Sequence, residues 1–578
     1  MKNVLIAGGL LAIGAGAGGY WYSQQADQTT ADSGVLAYVP ADTAIFSASL
    51  KPFPVKNYIN SLSGSYQSLP VDAFDDADIS DPRGKFFVAL FKSYSEALKD
   101  GQAFVDTFGL ADEIRSYMYT LGAVPVIKVE VAKPDAIWAW LDNAEQQSGF
   151  SHKAANLKGL DYRTYPLSDE GDQDSAELVV AVNNGLLTIT LNTSLNDSEL
   201  LEMALGMTPA SQSIADTTLI QDSLTKHNFI DDGIGFINHQ VIAKALTTSD
   251  GNLLAKHLTK ITQASGDENA LADLRTPACD QEFSAIVSNW PKTVMGFDNL
   301  SITEQESSFG ARMVVESNNN VLLKAYQSMS GFIPSYASNT EDAVFSMAYG
   351  IDVNQLVPSL LSVWEEMLQP SYQCAPLQEM QMAMEQQNPG MVGMMTGMAN
   401  GLKGVGMAVF SYKLADISRP EDLESLDAIL SVSADNPAVL FEMAKQFSPQ
   451  LASITLPADG TPVDLTGLLP IPPSMNIQPQ LALKGNHLVL FNGERAAEVS
   501  EQLAAEPVAN NGLISMYIDY QQMFEPIISG IEMSGEEVPE ELLDLKDYRI
   551  KAQMNMAVND QGIIFGSSMT SQADSATN

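Results

Sequence analysis

The chain has 578 residues, more than one hydrophobic core ordinarily organises, so two or more domains are expected. Apolar residues make up 45%, ordinary for a globular protein, but 71 acidic residues against 30 basic ones give a net charge of −41. That field repels nucleic acid and anionic membrane surfaces, which excludes a nucleic-acid role and reads first as a solubilising surface, with a basic partner as the alternative.

The chain opens "MKNVLIAGGLLAIGAGAGGYWYSQQ". Residues 4–22 are uncharged and long enough to cross a bilayer as a helix. Tyr20, Trp21 and Tyr22 stand where an interfacial aromatic belt belongs, and Lys2 would stay cytoplasmic, which exports the rest. The expectation is a single-pass inner-membrane anchor over 1–22 with the bulk of the chain periplasmic. The alternative is a cleaved signal peptide, since Ala15-Gly16-Ala17 has the A-x-A form, and a soluble periplasmic product. Gly14, Gly16 and Gly19 match G-x-G-x-x-G, but no strand precedes them, so a nucleotide site is set aside. Residues 23–34 read as a polar linker.

From residue 35 the chain repeats itself. "AIFSASL" from Ala44 returns as "AVFSMAY" from Ala343. "PVIKVEVAKPDAIWAWLDNAEQ" and "DAILSVSADNPAVLFEMAKQF" each read as an alternating strand, then a helix opened by a proline, Pro134 or Pro437. The hairpins "ELVVAVNNGLLTITLN" and "QLALKGNHLVLFNG" correspond, as do the helices after them. So do "DDGIGFINHQVIAKAL" with "NNGLISMYIDYQQMFEPI", and the two closing strand pairs. A steady offset with deletions, in matching order, is the mark of tandem duplication. The expected fold is therefore α+β: two repeats, 35–335 and 336–570, of antiparallel sheet with helices on one face, and a tail over 571–578.

The stretches "VPADTAIFSASL" and "DTFGLADEIRSYMYTLGAVPVIKVEV" resemble an uncharacterised bacterial cell-envelope family of unknown function. The resemblance covers most of the exported chain. It implies an envelope location and no reaction, and it carries over no catalytic residue.

Signatures of catalysis are sparse. H-E-x-x-H, G-x-S-x-G, the P-loop and C-x-x-C pairs do not occur. Ser223 and Lys226 match S-x-x-K, but the S-D-N and K-T-G companions of a serine acyl-enzyme are missing. The acidic runs Asp72–Asp81 and Asp169–Asp174 lack EF-hand spacing and read as solvated loops, with Ca²⁺ at Asp76 and Asp78 a minor alternative. Cys279 and Cys374 are the two cysteines. In an oxidising compartment they are expected to pair, closing a loop of about 95 residues, worth on the order of 4 kcal/mol on chain-entropy grounds.

Residues 379–401 concentrate methionine: Met380, Met382, Met384, Met391, Met394, Met395 and Met398. In the first repeat the equivalent place holds Phe104, Phe108, Leu110 and Ile114, so packing is the simplest reading. An adaptable apolar surface is the sharper one, with Met391, Met394, Met395 and Met398 as ligand-binding candidates. Soft Cu(I) ligation is weaker, because no histidine lies near and alternate positions do not share a helical face. The proline-rich stretch from Leu456 reads as an extended connection, with a docking loop as the alternative. Together these point to a non-enzymatic envelope protein, without cofactor or metal, whose repeats serve as a scaffold for an unknown periplasmic protein. The alternative is a carrier of lipid or another hydrophobic ligand through 379–401.

Overall fold

The computed structural model describes residues 34–62, 81–169, 175–338, 342–387, 389–414, 423–447, 451–468, 477–535, 537–539, 542 and 549–572. The anchor expected over 4–22 and most of both acidic runs lie outside them. Among the described residues no helix is long and apolar enough to cross a membrane. The chain forms two compact α+β units. The first runs through Glu316 and includes Gln373–Gln378, and the second comprises Ser317–Tyr372 and Glu379–Thr570.

In the first unit the strands are β1 (Ile45–Ser49), β2 (Ser116–Leu121), β3 (Val124–Glu130), β4 (Lys153–Leu157), β5 (Leu160–Pro166), β6 (Ala176–Asn183), β7 (Leu186–Thr193), β8 (Gly233–Asn238), β9 (Lys292–Ile302) and β10 (Glu306–Glu316). They pair antiparallel throughout, in the order β4-β5-β6-β7-β3-β2-β1-β8-β9-β10. The β6–β7 turn is Asn184-Gly185, both at positive φ, the geometry that suits a two-residue hairpin loop.

The second unit holds β11 (Phe345–Gly350), β12 (Leu402–Leu414), β13 (Leu423–Ala434), β14 (Val463–Asp464), β15 (Gln480–Lys484), β16 (His487–Asn492), β17 (Ile514–Asp519), β18 (Ile550–Asn559) and β19 (Gly562–Gln572). Here the order is β14-β15-β16-β13-β12-β11-β17-β18, again antiparallel. The helices fall at the same points of both units. Pro134–Ser148 follows β3 and Pro437–Ala444 follows β13, each with proline in its first turn. Ser198–Ala204 follows the first hairpin, and Glu494–Leu503 follows the second. Asn238 caps the helix after β8, and Asp519 caps the helix after β17.

Helices flank both faces of each sheet, which corrects the expectation of helices on one face. In the second unit Ala496, Val499 and Leu503 of the Glu494 helix share a core with Ala348, Ala408, Ile429, Val489 and Tyr517 on one face. Leu488 and Leu490 face the other way and pack with Phe441 of the Pro437 helix. In the first unit Leu201 and Leu205 lie against Val179 and Ala181 on one face. On the opposite face Tyr165 donates its hydroxyl to Glu145 of the Pro134 helix at 2.8 Å. The physical reason is in the strands. "MAVF" in β12 and "AILSV" in β13 place apolar residues at consecutive positions, so both faces need cover.

The packed face of the second sheet is built from small residues: Ser346, Ala348, Gly406, Ala408 and Ser515. A Cβ at Gly406 would come within 2.8 Å of the Tyr336 hydroxyl, so glycine there admits the Phe332–Ala337 segment. Tyr336 closes the contact with a hydrogen bond to Ser431 at 2.7 Å.

Candidate functional site: an apolar rung across the second sheet

The face opposite that core carries one lateral row of directly opposed residues. Leu490 faces Leu430, Leu430 faces Met407, Met407 faces Met347, Met347 faces Met516, and Met516 faces Met554. Directly opposed residues in an antiparallel pair share a face, with Cβ atoms about 4.5–5.5 Å apart. Four adjacent strands, β12, β11, β17 and β18, therefore contribute four neighbouring thioether side chains. The next row on this face is Leu488, Val432, Val405, Tyr349, Ile514 and Met556, also without charge.

This face is only partly roofed. The Pro437 helix covers the Leu488 and Leu490 end through Phe441. The helix Tyr520–Ser534 crosses at Tyr412, whose hydroxyl donates to the Met523 carbonyl. Between them Met407 remains 40% exposed, Leu430 41%, Tyr349 46% and Met554 61%. Leaving a large apolar side chain half in water forgoes on the order of 1 kcal/mol. Several on one contiguous face, opposite the buried Ser346, Ala348, Ala408 and Ser431, mark a surface suited to an apolar ligand.

None of these four methionines was marked by the sequence reading. Each belongs to a different strand, with Met554 sharing its strand with Met556 alone, and only strand pairing puts them in line. The residues the sequence did single out, Met391, Met394, Met395 and Met398, fall in short helical turns over Pro389–Met391, Val392–Thr396 and Gly397–Ala399. Their side chains lie outside the described residues. Met380 and Met382 are 39% and 55% exposed on the helix Ala375–Glu385.

Cys279 and Cys374 are joined in a disulfide, with Cα atoms 4.6 Å apart and both residues fully buried. Glu282, one turn on from Cys279, accepts from the backbone N–H groups of Gln373 and Cys374 at 2.7 and 2.9 Å. The bridge thus holds the 373–378 segment within the first unit.

Other chemistry-bearing residues are engaged in structure. Ser223 is fully buried; it donates to the Leu219 carbonyl at 2.7 Å and accepts from Lys292 at 2.9 Å. Lys226 instead pairs with Glu316 at 3.2 Å. Burial pulls the Lys292 ammonium below its usual range, against the attraction of Glu316. Burial also raises the Glu316 carboxyl, but His227, Lys292 and Lys226 outweigh it and hold that carboxyl low. A serine sealed from solvent and bonded on both sides is not presented to a substrate. Asp142, Glu145 and His152 bring ligand atoms within 4.8 Å of one another, a group able to hold a metal ion. Arg163 already engages it, lying 2.6 Å from Asp142 and 3.5 Å from Glu145, while His152 bonds Glu145 at 2.7 Å. The cluster ties the Pro134 helix to β5 as an ion-pair network.

One buried cation has no carboxylate in its hydrogen bonds. Lys128 is 2% exposed, and its ammonium donates to the Thr188 hydroxyl at 2.8 Å and the Ala204 carbonyl at 2.7 Å. Ala204 ends the Ser198 helix, where the negative end of the helix dipole favours a cation. Burial nonetheless lowers this group to about 7.

No protein-family model matches the sequence, and no curated protein matches it. A solved structure, crystal form I of TP0453, aligns over 51% of this chain and 81% of its own at 9% identity, with a TM-score of 0.22. An overlap of that quality bears on neither fold nor role.

Proposed function

We propose that the chain is a non-enzymatic, exported binding protein, tethered to the inner membrane by residues 4–22, whose second unit takes a small neutral apolar molecule on its open sheet face. The observation that carries this reading is the exposure of Met407, Leu430, Tyr349 and Met554 on uncharged rows between two covering helices. A net charge of −41 around an uncharged face favours a neutral ligand over an anionic one. Methionine adapts its shape to varied ligands more readily than a branched side chain does. The site thus moves from the 379–401 segment to the sheet, and the carrier reading takes precedence over a protein scaffold. We further propose that the two units arose by tandem duplication, supported by their shared strand order and helix placement.

The test uses the full chain and a neutral fluorescent apolar probe, N-phenyl-1-naphthylamine. Saturable binding is expected, weakened at least tenfold by Met407→Glu combined with Leu430→Glu, which places two charges on exposed positions. No saturable binding by the unaltered chain, or unchanged binding by the double variant, would sink the reading.

A further inference from the structure

The methionine rung has a property that an apolar ligand does not require. Three of its members, Met407, Met347 and Met516, come from three adjacent strands, with Met347 in the middle. Met554 extends the line on the fourth strand. Each side chain ends in a thioether on a flexible unbranched arm, so neighbouring sulfurs about one strand spacing apart can converge on a common point. Thioether sulfur is a soft donor that selects Cu(I), whereas hard cations require oxygen ligands and zinc usually takes thiolate, imidazole or carboxylate. The rung and the row beside it supply no carboxylate, imidazole or thiolate, so they offer nothing to those competitors. Access is open, since Met407 and Met554 are 40% and 61% exposed.

We propose that Met347, Met407 and Met516, with Met554 beside them, form a binding site for a soft monovalent cation, Cu(I), on the open face of the second sheet. The inference does not depend on an apolar ligand, because it rests on the sulfur atoms rather than on apolarity.

The first unit provides an internal control. There the corresponding rung reads Ile127, Met118, Ser47, Gly235 and Met295 across β3, β2, β1, β8 and β9. Ser47 and Gly235 separate Met118 from Met295 by three strand spacings, about 14 Å, too far to share an ion. The Met295 methyl instead folds over Gly235, 3.5 Å from where a Cβ would stand. The site is therefore expected in one unit only.

The experiment titrates the full chain with Cu(I) under anaerobic, reducing conditions against the chromophoric chelator bathocuproine disulfonate. One tightly held equivalent is expected. Met347→Leu, Met407→Leu and Met516→Leu together preserve volume and apolarity and should weaken retention at least 100-fold, and Met407→Leu alone about tenfold. Met118→Leu with Met295→Leu should change nothing. The triple variant should still bind N-phenyl-1-naphthylamine, so loss of copper with the probe retained separates the sulfur site from the apolar face. No copper retention by the unaltered chain would overturn the proposal. So would full retention by the triple variant, or loss on replacing Met391, Met394, Met395 and Met398 by Leu instead.

Discussion

The two sheets share a strand order but distribute bulk oppositely over their faces. In the first unit the packed face is large and aromatic: Phe46 stands opposite Tyr119 and Phe236, and its ring lies 5.2 Å from that of Phe236. All three are fully buried. In the second unit the corresponding face is small, with Ser346 opposite Ala408, and the volume is supplied instead by Phe332, Ile333 and Tyr336 laid across it. The opposite faces differ in the reverse sense. The first is interrupted by Ser47 and Gly235, while the second carries Met347 and Met516 at the centre of its rung. One architecture thus holds two solutions: a sheet that fills its own core, and a sheet whose core is filled from outside and whose free face is left apolar.

The difference can be broken from either side. Phe46→Ala should cost about 3–5 kcal/mol, because it empties a site ringed by aromatic residues that are themselves fixed. Urea unfolding followed by a probe in each unit should assign that loss to the first. A loss below about 1 kcal/mol would mean that the aromatic rung is not the core of that sheet.

Ala408→Leu should cost about 1–3 kcal/mol by overpacking against the Phe332–Ala337 segment. The neighbouring Met407→Leu, one residue along and on the other face, should cost less than about 1 kcal/mol. Thermal unfolding of the pair measures this directly. Equal effects would contradict the assignment of a packed and an open face.

The last effect is a slope with pH and is expected in the first unit. Lys128 titrates near 7 in the folded chain and near 10.5 when unfolded. Between those values the unfolded chain holds a proton that the folded chain has released. Stability therefore rises with pH across that window, by at most about 1.4 kcal/mol per pH unit, and the cost of burying the ammonium is felt below it. Lys128→Met should flatten this dependence in unfolding curves taken from pH 7 to 9, and an unchanged slope would exclude Lys128 as its source. In the second unit Ser431, not lysine, lies on the packed face of the corresponding strand. The buried base there is His487, which burial holds below its ordinary value, so that unit should weaken as pH falls through the histidine range.

Much of the local structure was legible in the chain. Pro134 and Pro437 open their helices, the Asn-Gly turn closes its hairpin, and strand alternation marks β2, β3, β12 and β13, because each signal is contained in a few consecutive residues. The alignment of like letters misled in one place. It matched Phe46 with Phe345, yet Phe46 lies on the face of the Ser198 helix, through Tyr119, Val126, Thr190 and Val179. Phe345 lies on the open face, opposite Val409 and Ile518. With a period of two, a slip of one residue reverses every side chain, and letter identity does not detect it.

The sequence by itself determined the acidic charge, the α+β class, the two cysteines available to pair and the order of elements, since these follow from composition and short-range pattern. Tertiary structure alone decided that Met347, Met407, Met516 and Met554 stand in one line and that their face is left open. Those residues are far apart along the chain. Their alignment is a property of strand register, which is fixed by which faces the rest of the molecule buries.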